Sequence, residues 1–196
     1  MMLQLDRVSI RTAQGKELNR NLNVALAARE LLTIAGENGS GKTTLLKSIL
    51  GLHPHFSGQI HRHFSFDRAG YLPQLSNVEF LLPLTIGDVI RLKIEATNKE
   101  IEALGLCSPQ SLERPWNTAS GGERQKALLT RTFLTPAEIL FLDEPFNHLD
   151  VNTRKTVVRL IRDRLMVSSV VLISHGNEDE LMIGKKLHLG EGALND

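Results

Sequence analysis

The sequence predicts an α/β fold in which a parallel sheet is covered by helices, preceded by antiparallel strands and interrupted by a helical insertion. Three observations carry this reading. The runs ILFLD (139–143) and VVLIS (170–174) are apolar throughout instead of alternating, as strands buried on both faces are. ELLTIAG (30–36) ends in glycine and runs directly into the helical pattern KTTLLKSIL, a strand–turn–helix unit that Gly51 is placed to stop. Between GYLPQ (70–74) and Pro136 the strand-like runs cease and helical patterns replace them.

In chain order, LQLDRVSI (3–10), a polar turn at Ala13 to Lys16 and LNVAL (22–26) read as short strands. The strand–turn–helix unit of 30–51 follows. In the insertion, Thr85 with Asp88 three residues later forms a capping-box pattern opening IGDVIRL. EIEALGL and ASGGERQKALLTRTFL continue the helical character up to the second buried strand. A chain of 196 residues with 41% hydrophobic content suffices for one packed domain and not for two full ones. We divide it into a core of 1–74 and 137–196 and a helical subdomain of about 75–136. No regulatory domain is expected after the third strand.

Composition narrows the function classes. Lys plus Arg number 23 against 22 Asp plus Glu, so no overall field draws the chain to nucleic acid, and no nucleic-acid partner is expected. The one cysteine, Cys107, excludes an internal disulfide and fits a reducing compartment, with packing as its role. No window approaches the roughly 18 consecutive apolar residues of a membrane span. Asp6 and Arg7 stand where a signal peptide would need an apolar core, so a cytoplasmic location is expected.

The chemistry is concentrated in a few motifs. GENGSGKT (36–43) matches G-x-x-x-x-G-K-[ST] at Gly36, Gly41, Lys42 and Thr43, the Walker A pattern of a P-loop nucleotide hydrolase core. Small residues along Asn38, Gly39 and Ser40 let successive backbone N–H groups close around phosphate oxygens, with Thr44 next in the helix start. Lys42 reaches the β and γ phosphates, the Thr43 hydroxyl ligates Mg²⁺, and the helix aims its positive end at the same charge. ILFLDE delivers two carboxylates at a strand end, Asp143 to hold Mg²⁺ and Glu144 to polarise the attacking water. Ser120, Gly121, Gly122 and Glu123 form a second glycine-rich turn. On local physics Ser120 and Glu123 are a capping box; yet a helix start bearing two glycines is also an open anion site.

These motifs, in this order and spacing over nearly the whole chain, resemble the ATPase subunit of an ATP-binding cassette (ABC) transporter: Walker A, Gln74 after YLP, ASGGE at 119–123, LDEP at 142–145, Asp150, and His175 after a strand. The resemblance implies ATP and Mg²⁺ as ligands and a head-to-tail dimer in which the signature Ser120 to Glu123 covers the γ-phosphate held by a second copy. It also implies that Gln74 approaches Mg²⁺ and the attacking water and marks the groove where membrane permease subunits dock. His175 would contact the γ-phosphate and hold Glu144 in register, and Asp150 would belong to the loop crossing the dimer interface. The protein would then sit peripherally on the inner face of the cell membrane.

The chain departs from the family in three places. IRTAQ (10–14) lacks the aromatic that stacks on adenine, leaving Arg11 as a flat substitute. Ala119 stands where leucine is usual, and NHLD (147–150) is similar to ABC proteins acting on ribosomes. Among transporters, LGL, GYLPQ and LPLT look similar to ATPases of zinc and manganese importers, whereas the short length and DEPF resemble the haem-exporter ATPase. Four histidines, His53, His55, His61 and His63, invite a metal reading, but the family places a turn and a β-hairpin here and no carboxylate or thiol is interspersed. We read them as solvated, with His61 and His63 sharing one strand face.

Overall fold

A computed structural model describes residues 1–75, 78, 80–174 and 184–190. Strands β1 (Leu3–Arg11) and β2 (Glu17–Leu26) pair antiparallel, with Leu3 opposite Leu26. The inward positions of β1 are Leu3, Leu5, Val8 and Ile10, so the period of two slips by one residue between Leu5 and Val8. A bulge absorbs the slip: the register shifts there on both flanks and Arg7 takes φ +50°. Gly58 lies across from it because a Cβ would stand 2.2 Å from the Arg7 carbonyl oxygen.

The strand expected to form a hairpin around the histidines is a correction. β4 (Phe56–Arg62) pairs antiparallel with β1, giving a three-stranded sheet ordered β2-β1-β4. His61 lies in β4 opposite Gln4, while His63 falls beyond its end, its amide bonded to the Met2 carbonyl, so the two do not share one strand. His53 and His55 precede it in edge-to-face contact, and the His53 Nε2 bonds the Arg11 carbonyl at 2.8 Å. The physical reason is range: pairing with β1, some fifty residues away, leaves no local trace in the sequence.

The parallel sheet has the order β5-β6-β7-β3-β8, from β3 (Leu31–Gly36), β5 (Ala69–Leu72), β6 (Ile139–Asp143), β7 (Ser169–Ser174) and β8 (Lys185–Leu189). It separates two cores. Ile139, Phe141, Val171 and Ile173 face the antiparallel sheet and helix α1 (Lys42–Ile49), while Leu140, Leu142, Val170 and Leu172 face the other helices. Both faces are covered, which is why these strands read as continuous apolar runs.

The insertion carries α2 (Ile86–Arg91), α3 (Asn98–Ala103), α4 (Pro109–Leu112) and α5 (Gly121–Leu134), and α6 (Val151–Leu165) links β6 to β7. Its buried residues, among them Ile86, Ile90, Ile101 and Trp116, belong to one cluster with Leu140 and Leu172 of the sheet. Thr85–Asp88 and Ser120–Glu123 are capping boxes, and Thr97–Glu100 is a third. The α1 C-terminus is closed by Arg62 of β4, whose guanidinium donates to the carbonyls of Ile49 (2.6 Å) and Ser48 (2.8 Å). Among the described residues no helix is long and apolar enough to cross a membrane.

Candidate active site

The site lies where β3, β6 and β5 present their carboxyl ends, the edge at which open parallel sheets bind ligands. Gly36 ends β3 tightly against β8: a Cβ there would stand 2.2 Å from the Leu189 carbonyl oxygen. Residues 37–41 then loop into α1, whose N-cap, Gly41, has φ +91° and no capping side chain. The first amides of α1 therefore lack an internal acceptor and point outward, as an anion requires. A cleft of about 270 Å³ opens over them, lined by Asn38, Gly39, Gly41, Lys42, Thr43, Thr44, Gln74, Glu144 and Leu18.

Lys42 is buried, and its Nζ donates to the carbonyls of Gly36 and Glu37, each at 2.8 Å. Burial pushes its pKa down, opposed by the nearby charges of Glu144 and Asp143. The Thr43 hydroxyl donates to Asp143 Oδ1 at 3.1 Å, joining α1 to the end of β6. Asp143 is 1% exposed and its Oδ2 has no hydrogen-bond partner among the described residues. Burial raises its pKa to about 6, Thr43 pulls the other way, and the adjacent Glu144 charge raises it further. An orphaned carboxylate oxygen beside a threonine hydroxyl is a hard-oxygen donor set that fits Mg²⁺. Glu144 adopts φ +53°, and its Oε2 accepts from Gln74 Nε2 at 3.3 Å and from Asn147 Nδ2 at 2.6 Å.

Ser120, Gly121, Gly122, Glu123 and Asp150 do not line this cleft. Ser120 is exposed; its amide and hydroxyl donate to Glu123 Oε2 at 2.9 and 2.8 Å, and its hydroxyl accepts from the Glu123 amide at 3.3 Å. These bonds, with Arg114 beside them, draw the Glu123 carboxyl down to about 2. The box leaves the first-turn amides of Gly121 and Gly122 without an intrahelical acceptor, so cap and open anion site coexist. Asp150 caps α6, accepting from the Thr153 amide (2.9 Å) and hydroxyl (2.7 Å), and approaches Lys126 at 3.5 Å. Those bonds hold its carboxyl well below the usual range. His175 lies outside the described residues. Arg11 faces Glu17 at 3.7 Å and is not among the residues lining the cleft.

Sequence reasoning missed three residues. Leu18 forms the apolar flank of the loop, 3.1 Å from where a Cβ on Gly41 would lie. Asn19 is buried, and its amide holds the Ser40 carbonyl from across the fold. Asn147 holds Glu144. Asn19 and Leu18 carried no usable signal, since a polar and an apolar residue alternate in any strand; Asn147 stood in NHLD, three residues from Glu144. A second cleft, about 550 Å³, opens between β5 and the helical insertion, with Tyr71, Pro73, Lys93 and Arg131 on its wall. Burial pushes the Tyr71 hydroxyl up to about 12.

A loop whose open amides, lysine and threonine line one cleft suits a polyphosphate, and the carboxylate pair beyond it is what cleaving one requires; the class is a P-loop nucleotide hydrolase. The sequence pattern of the ABC transporter family matches residues 19–147, and the chain belongs to that family as an ATPase subunit that uses ATP and Mg²⁺. It is 34% identical over 178 residues to the zinc import ATP-binding protein ZnuC of Pasteurella multocida, spanning 89% of this chain and 67% of that one. Against the ZnuC of Cereibacter sphaeroides the identity is 35% over 165 residues, 81% of this chain and 67% of the relative. Among solved structures, the ATP-binding cassette MJ0796, a dimer bound to ADP and Pi, superposes with a TM-score of 0.78 at 21% identity, covering 96% of this chain and 94% of that one. A bacterial Atm1-family ABC exporter with ATP bound gives 0.80 at 23% identity, covering 95% of this chain and 36% of the exporter. ATPases of this family dimerise and pair with membrane permease subunits.

Proposed function

We propose that two copies of this chain, arranged head to tail, enclose two ATP molecules and drive a membrane permease that imports a transition metal, zinc being the cargo its relatives' names give. One observation carries the arrangement: the cleft holds a phosphate cradle and carboxylates, while the open helix start at Gly121 and Gly122 lies outside it. Such an anion site, set apart from the chain's own phosphate cradle, is accounted for if it covers the γ-phosphate of a second copy.

In this reading Gly36, Asn38, Gly39, Ser40, Gly41 and Thr44 wrap the phosphates with backbone amides, and Lys42 exchanges its carbonyl contacts for phosphate oxygens. Thr43 and Asp143, with Gln74 nearby, hold Mg²⁺, which neutralises charge on the transferring phosphoryl group. Glu144 orients and polarises the attacking water. From the other copy, Ser120, Gly121, Gly122 and Glu123 close the site, with Asp150 beside the interface; His175 completes the γ-phosphate contacts. Leu18 supplies the apolar wall that the missing aromatic would have given the base. The core of 1–74 and 137–196 grips nucleotide, and the subdomain of about 75–136 carries the signature.

The permease docks in the cleft between β5 and the helical insertion, since Pro73 on its wall precedes Gln74 in the active site. The subunit thereby works at the inner face of the membrane. The test is Glu144→Gln, which keeps nucleotide and Mg²⁺ binding and removes the base. Saturating Mg-ATP should shift it from monomer to dimer on gel filtration; a nucleotide-loaded monomer would overturn the shared-site reading.

A further inference from the structure

Glu144 has a partner that its motif does not supply. Its Oε2 accepts from Asn147 Nδ2 at 2.6 Å, a shorter contact than the 3.3 Å from Gln74. The bond is built into a turn: the Asn147 amide also donates to the Glu144 carbonyl at 3.3 Å, and the turn has left-handed residues at Glu144 (φ +53°) and His148 (φ +62°). Neither is glycine, and such conformations persist only where the surrounding structure holds them. Here α5 does so. Buried Gln125 donates to the Pro145 carbonyl at 3.1 Å, and the His148 carbonyl presses on Gly122, where a Cβ would come within 3.0 Å. Gln74 belongs to a separate segment after β5, whereas Asn147 shares Glu144's turn.

We infer that Asn147 is a positioning residue for ATP hydrolysis, its side-chain amide fixing the carboxylate of Glu144 in the orientation from which it activates water. A general base has to sit within hydrogen-bond reach of the proton it takes, and a displacement of about 1 Å can cost on the order of 100-fold in rate. An amide suits the task, being a neutral donor with no proton to lose, whose bond to a carboxylate is charge-assisted and short. Asn147 touches neither nucleotide nor water in this role and acts through Glu144 alone.

The inference rests on Glu144 being the water-activating carboxylate, and the experiment separates the two. ATP turnover is measured for wild type, Asn147→Ala, Asn147→Asp, Glu144→Gln and Glu144→Gln/Asn147→Ala, with thermal melting and nucleotide affinity as folding controls. Loss of a charge-assisted hydrogen bond predicts that Asn147→Ala lowers kcat by about tenfold with KM for ATP within about twofold. Asn147→Asp, the same shape with a second negative charge against Glu144, should lose more than Asn147→Ala. Once Glu144 is glutamine, removing Asn147 should cost nothing further, the coupling expected of two residues acting as one unit. Wild-type kcat for Asn147→Ala, a loss of equal size in both backgrounds, or a change confined to KM would overturn the inference. Full turnover by Glu144→Gln would instead defeat the underlying assignment of the base.

Discussion

Ser120→Arg separates the two uses of the signature turn. The substitution removes the hydroxyl that accepts from the Glu123 amide and donates to its carboxylate, while the Ser120 amide bond to Glu123 Oε2 is made by backbone and can persist. Loss of a serine N-cap costs about 1 kcal/mol, which for a chain of this size lowers Tm by roughly 2–4 °C. Ser120 is exposed, so an arginine side chain meets solvent instead of core, and no residue lining the subunit's own cleft changes. ATP binding by the monomer should therefore survive, measured by fluorescent-nucleotide titration. If the signature closes the partner's site, hydrolysis should fall by on the order of 100-fold or more, because donors aimed at that γ-phosphate would be displaced, and ATP should no longer drive dimerisation. Mixing with Lys42→Ala subunits pairs the intact cradle of one with the intact signature of the other. Half the dimers then carry one good site in two, so independent sites would return up to about a quarter of wild-type turnover. If the Ser120→Arg protein dimerises with ATP and hydrolyses it at the wild-type rate, the turn is a capping box and nothing more.

Two further outcomes follow from the cleft. Lys42→Ala removes the buried cation bound to the Gly36 and Glu37 carbonyls, and turnover in a phosphate-release assay should drop by on the order of 100-fold or more; near-normal turnover would refute the cradle. In metal-free protein, Asp143 carries a pKa raised from 3.8 to about 6 by burial, so its charged form opposes folding. That cost is absent below the unfolded value, grows as pH rises through the interval and is complete above about pH 6, where it amounts to about 3 kcal/mol at most. Asp143→Asn should therefore melt higher than wild type in chelator at about pH 8, with the difference vanishing near pH 4, while losing Mg²⁺-dependent turnover. A difference that does not vary with pH would refute this account.

What the sequence made legible was local. The P-loop is one unbroken stretch whose residue types suit phosphate, and Asp143 and Glu144 follow four consecutive apolar residues, Ile139 to Leu142, that betray a strand buried on both faces. The capping boxes at Thr85 and Ser120 were readable because a cap and its partner lie three residues apart. What escaped depends on contacts across the fold. Asn19 meets Ser40 only because β2 passes the phosphate loop, and β4 joins β1 through a pairing no neighbouring residue announces. Arg11, a candidate flat substitute for an adenine-stacking aromatic, faces Glu17, its neighbour across the β1–β2 pair. Asn147 was within reach of the sequence, but a side chain three residues from a base becomes its partner only when the intervening turn is left-handed.

The packing of Gly36 against β8 sets an order of events during synthesis. β3, which leads into the phosphate loop, is flanked by β7 and β8, strands drawn from the chain about 140 and 150 residues later. Contacts so distant in sequence are slow to form and cannot form at all until the later segment exists. A growing chain that already displays Lys42 and Thr43 therefore has its loop anchored to one unpaired strand, with the Leu189 carbonyl that closes on Gly36 still to be made. The packing that shapes the phosphate loop is therefore completed only after β7 and β8 have been made, and the strand nearest the cradle is among the last to gain its neighbours.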